Sequence, residues 1–156
     1  MKRIIMMVLR NLLFVPWGWF MLNRYAKNVD NYTEGERYAL LKKIVQRANK
    51  GGNITVQSYG VENIPNENGF MFYPNHQGLY DVLAIIDTCP RLFSVVVKKE
   101  LKDIFFLKQV FQIIGAYALD REDVRQSMKV IQQVSQDVAA GRNFLIFPEG
   151  TRSRDG

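Results

Sequence analysis

The sequence predicts an α/β fold: a mixed, largely parallel sheet flanked by helices, carried behind an N-terminal membrane-associated helix. Three observations predict it. From residue 53 onward, short apolar runs rich in β-branched and aromatic residues alternate with stretches of helical periodicity. One run, LFSVVVK (92–98), is apolar nearly throughout, as a strand covered on both faces must be. The chain before them opens on an apolar stretch from Ile4 to Leu22 with Lys2, Arg3, Arg24 and Lys27 at its ends.

That first stretch holds 19 residues, just short of the ~20 that cross a bilayer core. Arg10 and Asn11 interrupt it, and Pro16 predicts a kink or break. Trp17, Trp19, Phe20 and Tyr25 cluster toward its end, as aromatics do at a membrane–water boundary. A cleaved signal peptide is disfavoured because no small-residue site follows the run. A spanning helix would carry Arg10 near its middle at a cost of roughly 2.5–3.5 kcal/mol. A partly inserted amphipathic anchor accommodates both the arginine and the flanking charges, and a buried core helix is the bland alternative.

The elements then follow in order. Thr33 and Glu36 form a T-x-x-E capping box, and Tyr38, Leu41, Ile44, Val45 and Ala48 recur at helical spacing before Gly51-Gly52 ends the pattern. Residues 54–59 alternate like a strand, and GFMFYP (69–74) reads as a short strand stopped by Pro74. Residues 79–87 read as a helix, 92–98 as a strand, and 100–115 as a helix in one or two pieces. AYALD (116–120) is a strand. Residues 122–141 form a helix with Val124, Met128, Ile131, Val134 and Val138 on one stripe, and NFLIFP (143–148) is a last strand. Three parts result: a membrane-anchoring segment (1–28), a connecting amphipathic helix (29–52) that serves as a hinge piece, and the α/β domain (53–156). The elements stop at Gly156 directly after a strand and a polar loop, so the C-terminal part of the domain is expected to be missing.

Composition narrows the chemistry. The 156 residues suffice for one ordinary domain. A net charge of +6 points to an anionic partner: nucleic acid, a lipid headgroup or a phosphorylated metabolite. One cysteine excludes an internal disulfide and any multi-cysteine zinc site, and one histidine makes His76 the sole imidazole. No metal is implied, since one His and one Cys give no ligand cluster.

His76 begins NHQGLYD's His-x4-Asp pattern with Asp81. On one regular helix, five residues turn through about 140°, so the two side chains would diverge. They meet if His76 lies in the loop after the 69–74 strand and Asp81 in the first turn of the next helix. The carboxylate then holds one ring nitrogen and leaves the other free to take a proton. Taken alone, the spacing better describes a loop histidine bonded to a capping aspartate. A second block, FPEGTRSR (147–154), follows a buried strand with an acid, a glycine, a hydroxyl and two arginines, the residue types that approach and grip phosphate; its bland reading is a solvated turn. A third, GAYALDR (115–121), ends a strand with Asp120 and Arg121; Asp120 itself reads better as the N-cap of the following helix.

Together the three blocks resemble the glycerolipid acyltransferases, most closely the 1-acylglycerol-3-phosphate O-acyltransferases. NHQGLYD matches that family's NHxxxxD block and FPEGTRS its FPEGTRS block; Lys98-Lys99-Glu100-Leu101 resembles its K-x-E-L. GAYALDR resembles G-x-x-F-x-x-R, with Ala118 where a large residue is usual. The resemblance implies a glycerol-3-phosphate acyltransferase-like fold, with 53–156 as the acyltransferase domain. It implies transfer of an acyl group, in phospholipid synthesis, from acyl-CoA or acyl carrier protein to the sn-2 hydroxyl of 1-acylglycerol-3-phosphate. His76 would be the general base and Asp81 its partner. Arg121 and Arg152 would grip the acceptor phosphate, with Lys98 meeting phosphates of donor or acceptor. Glu149 would orient an arginine or the glycerol, with Gly150 and Thr151 completing the binding loop and the Gly150 amide a candidate for the oxyanion. The acyl donor is a co-substrate and no cofactor is implied. The expected partners are membrane phospholipid or lysophosphatidate and the acyl donor, at the cytoplasmic face of the cell membrane. Cys89, at a helix end before Pro90, is expected to be a small buried residue, and no G-x-S-x-G elbow offers an acyl-enzyme serine.

Other acceptors (glycerol 3-phosphate or another lysophospholipid) fit the same motifs. Two readings come from other classes. A nucleic-acid module would use the same charge, but the basic residues are dispersed and no recognition motif is present. An incomplete, inactive membrane-bound scaffold would bind liposomes without releasing thiol from acyl-CoA.

Overall fold

The computed structural model describes residues 2–78 and 80–150. Its elements are α1 (Lys2–Arg10), α2 (Phe14–Lys27), α3 (Glu34–Gly51), β1 (Met71–Phe72), α4 (Asp81–Thr88), β2 (Ser94–Lys98), α5 (Leu107–Ile113), β3 (Tyr117–Leu119), α6 (Val124–Ala139) and β4 (Phe144–Ile146). The four strands form one sheet in the order β1-β4-β2-β3. Every pairing is parallel, so no antiparallel strand joins the sheet among the described residues.

Strand alternation divides the core. Val95 and Leu145 point to the face covered by Leu22 of α2, Leu40, Leu41 and Val45 of α3, Ile86 of α4 and Ile113 of α5. Val96 and Phe144 point to the opposite face, where Val134 of α6 packs. Asn143, 2% exposed, ties three strand beginnings together. Its amide donates to the Leu92 and Asn68 oxygens, and its oxygen accepts from the Gly69 N–H.

The N-terminal apolar run is two helices of nine and fourteen residues. Among the described residues, no helix is long and apolar enough to cross a membrane, so a spanning N-terminal helix is not supported. The break falls at 11–13 rather than at Pro16. Asn11 turns its amide back onto the Met7 carbonyl at 2.8 Å, whereas Pro16 sits in the first turn of α2, where its missing N–H has no partner to lose. Leu22 of α2 is 1% exposed and belongs to the core, while Leu13 is 94% exposed.

α3 carries the expected capping box: Thr33 Oγ1 accepts from the Glu36 N–H, and Glu36 accepts from the Thr33 N–H. It packs its middle into the core. Residues 54–57 alternate in burial, but 57–59 are all exposed, and the segment forms no ladder, because no strand lies beside it among the described residues. The 100–115 stretch holds a 3-10 turn at Lys99–Leu101 and then the short α5, with Phe106 at φ 76 between them. On α6 the apolar stripe is wider than the buried face: Val134 is buried, but Val124, Met128 and Ile131 are exposed. Asp123, not Asp120, caps α6, accepting from the Gln126 N–H.

Candidate active site

Parallel strands bring their C-terminal ends to one edge, and the loops after them collect there. The loop after β1 carries His76, the end of β2 carries Lys98, β3 runs into Asp120 and Arg121, and β4 runs into Glu149 and Gly150. Because β1 and β4 are neighbours, the His76 ring stacks on Phe147, with centroids 4.1 Å apart and planes at 29°.

His76 Nδ1 lies 2.9 Å from Asp81 Oδ2, with His76 in the loop and Asp81 opening α4. The same oxygen accepts the N–H groups of Gln77 at 2.8 Å and Gly78 at 2.9 Å. Burial pushes the Asp81 carboxyl up, but the Gly78 N–H, the His76 ring and the Gln77 N–H outweigh it, and the group titrates below its ordinary value. Asp81 is therefore an anion at neutral pH. It both shapes the loop and engages the ring, so the capping and catalytic readings of the spacing share one carboxylate. With Nδ1–H donating to Asp81, Nε2 is left with a lone pair.

Arg121 reaches across the sheet edge, its Nη2 donating to the Gly150 carbonyl at 3.0 Å. A Cβ on Gly150 would stand 1.7 Å from that Nη2, so the guanidinium lies where any side chain would be. Gly150 holds φ 64, and its N–H donates to the Phe147 carbonyl. That amide is engaged inside the turn. Glu149 is exposed. Lys98 ends β2 in register with Leu119, and its neighbour Lys99 pairs with Asp120 at 2.7 Å. Thr151 and Arg152 lie outside the described residues. The Cys89 thiol is 3% exposed, and burial raises its pKa against the Arg91 N–H and nearby cations, which disfavours the thiolate.

One supporting group escaped the sequence reading. Asn49 of α3, 4% exposed, accepts the Tyr80 hydroxyl at 2.5 Å and donates to Asp87 Oδ2 at 2.7 Å. A single amide thereby holds the residue before α4 and a residue in its last turn. The available signal was a polar side chain continuing the Tyr38, Leu41, Val45 stripe into the core.

A parallel α/β sheet thus carries a histidine–carboxylate pair and an arginine at its C-terminal edge, where such folds place their ligands. The family model described as Acyltransferase matches residues 55–156, and the chain belongs to that family. It is 32% identical over 97 residues to a 1-acyl-sn-glycerol-3-phosphate acyltransferase of Borreliella burgdorferi, a match covering 62% of this chain and 39% of the relative. It is also 32% identical over 82 residues to the enzyme of that name from Helicobacter pylori, covering 53% and 35%. The chain thus spans well under half the length of these curated relatives. Its fold is similar to the crystal structure of the 1-acyl-sn-glycerophosphate (LPA) acyltransferase PlsC from Thermotoga maritima. The TM-score is 0.65 at 24% identity, over 96% of this chain and 65% of that one.

Proposed function

We propose that the chain transfers an acyl group from acyl-CoA or acyl carrier protein to the sn-2 hydroxyl of 1-acylglycerol-3-phosphate, giving phosphatidic acid. The 2.9 Å contact between His76 and Asp81 carries this reading, and the relatives' names supply the acceptor. His76 Nε2 takes the hydroxyl proton as the oxygen attacks the thioester carbonyl. The tetrahedral intermediate collapses, the C–S bond breaks, and the imidazolium returns the proton to the leaving thiolate. Asp81 balances the imidazolium between these steps. General-base help of this kind is worth roughly 10²–10⁴ in rate. Arg121, with Arg152, binds the acceptor phosphate, which replaces the Gly150 carbonyl on the Arg121 guanidinium and holds the hydroxyl at the ring. Glu149 orients an arginine or the glycerol, and Lys98 meets phosphate from the β2 side.

The same reading places α1 and α2 on a bilayer surface at the cytoplasmic face of the membrane. Ile5, Val8, Leu9, Leu12, Leu13, Val15 and Phe20 are exposed large apolar residues on these two helices and the turn between them, and Phe105, 79% exposed, lies tilted against Trp19 with ring centroids 4.8 Å apart. The acceptor resides in that surface, so the anchor brings the sheet edge to its substrate.

The test is thiol release from acyl-CoA and from acyl carrier protein with a panel of acceptors. Release dependent on 1-acylglycerol-3-phosphate supports the reading. Release driven only by glycerol 3-phosphate or another lysophospholipid corrects the acceptor, and liposome binding with no release under any acceptor points to an inactive scaffold.

A further inference from the structure

Lys43, Arg47 and Lys50 recur at i, i+4 and i+7 on α3, which puts them on one face of the helix. The start of α2 crosses that face. Between them lies a cleft of about 330 Å³, lined by Phe14, Lys43, Gln46, Arg47 and Lys50. That volume lies within the range of roughly 300–1,000 Å³ that small ligands occupy. Lys43 Nζ sits 4.9 Å from the centre of the Trp17 ring, and the Arg47 guanidinium carbon 5.6 Å from that of Phe14. The aromatic faces steer two of the cations without neutralising them.

Among the described residues, none of the three cations forms an ion pair. The acids on α3 are in its first turn and are engaged elsewhere: Glu34 with Arg142, Glu36 with Thr33. Three like charges gathered around a concavity repel one another, and an anion relieves that repulsion. The rim is apolar. Leu12 and Leu13, 62% and 94% exposed, immediately precede Phe14 in the cleft wall. A sugar–phosphate strand has nothing to place on those leucines, whereas lipid chains do.

We propose that this cleft seats the phosphate of an anionic phospholipid, with the lipid's chains passing along Leu12 and Leu13. It is a second lipid site, separate from the sheet edge, and it rests on the reading that α1 and α2 lie on a bilayer. Arg47 forks onto the phosphate, and Lys43 and Lys50 add point charges. The site fixes the depth and rotation of the anchor, which an apolar face alone leaves free.

Vesicle co-flotation tests it, comparing phosphatidylcholine alone with phosphatidylcholine containing phosphatidylglycerol. The triple variant Lys43→Gln, Arg47→Gln, Lys50→Gln is set against Arg91→Gln, Arg125→Gln, Lys129→Gln, which removes the same charge elsewhere. The site variant is expected to lose about 100-fold in affinity for the anionic vesicles, at roughly fivefold per basic residue near the surface. The control variant should lose only a few-fold, and circular dichroism should show both folded. Equal losses in the two variants, or none in the site variant, overturn the cleft while leaving the membrane reading standing. Failure of the unmutated chain to bind either vesicle overturns the membrane reading and the cleft with it. A rise in melting temperature with inorganic phosphate that matches the rise with vesicles overturns the lipid assignment in favour of a general anion site.

Discussion

At the scale of single residues, the proposed chemistry depends on the charge of Asp81 more than on its shape. Asp81→Asn retains a side chain of the same size but removes the anion that balances a protonated ring. We predict a fall in kcat of about 100-fold or more with little change in KM. Stability follows the same charge. The folded carboxyl titrates below the ordinary 3.8, so its contribution is fully present above that value and is lost as pH falls through the lower folded pKa. Urea melts of the wild type and Asp81→Asn should differ at neutral pH and converge in strong acid; a constant difference would mean that the charge contributes nothing. A second residue-scale prediction concerns Gly150. An alanine there meets the Arg121 guanidinium and strains a left-handed turn by about 1–2 kcal/mol. The arginine, being flexible, swings away, so Gly150→Ala should fold and should raise the KM for the phosphate acceptor about tenfold through lost positioning. An unchanged KM would remove Arg121 from the binding site.

At the scale of elements, α4 is only eight residues long and is held by its neighbours rather than by its own propensity. Asn49 supplies the polar part of that hold. Asn49→Ala leaves the Tyr80 hydroxyl and the Asp87 carboxylate without this partner, for a destabilisation of about 2 kcal/mol in urea. kcat should fall with it as Asp81 loses register with His76. Tyr80→Phe removes one of the two bonds and should cost less in both measurements; a larger cost than Asn49→Ala would mean that the amide is not the organiser. Elements with strong local signals were legible in the sequence. The Thr33–Glu36 capping box sets the start of α3 by side-chain chemistry alone, and the β-branched run at 94–98 sets β2. Elements that depend on a partner were not. The 54–59 alternation lacked a neighbour to pair with, and the 100–115 periodicity yielded to a turn at Phe106. The stripe on α6 could not reveal that the sheet covers Val134 and leaves Val124 bare.

At the scale of the whole molecule, one arrangement connects the N-terminal helices, core and sheet edge. α2 shows apolar residues to solvent on one side and sends Leu22 into the core on the other. α3 meets α1 at its C-terminus, where a Cβ on Gly51 would collide with the Asn11 amide at 2.0 Å, and two residues earlier it holds α4 through Asn49. The N-terminal helices and the histidine–aspartate pair are therefore joined through a single helix. Of the site, the His76–Asp81 geometry could be anticipated because both residues belong to one loop and its following turn. The Arg121–Gly150 contact could not, because it spans 29 residues and depends on the strand order β1-β4-β2-β3. The broken apolar run shows the same limit. Its hydropathy was plain, but not the turn at Asn11, whose amide bonds back to the Met7 carbonyl and lies against Gly51 of α3.

The central claim is direct transfer with His76 as base, and it is tested by thiol release from acyl-CoA in the presence of 1-acylglycerol-3-phosphate, compared among the unmutated chain, His76→Ala and Cys89→Ala. The account predicts a fall of at least about 100-fold for His76→Ala and wild-type rates for Cys89→Ala. Full activity in His76→Ala, or an equal loss in both variants, would contradict it.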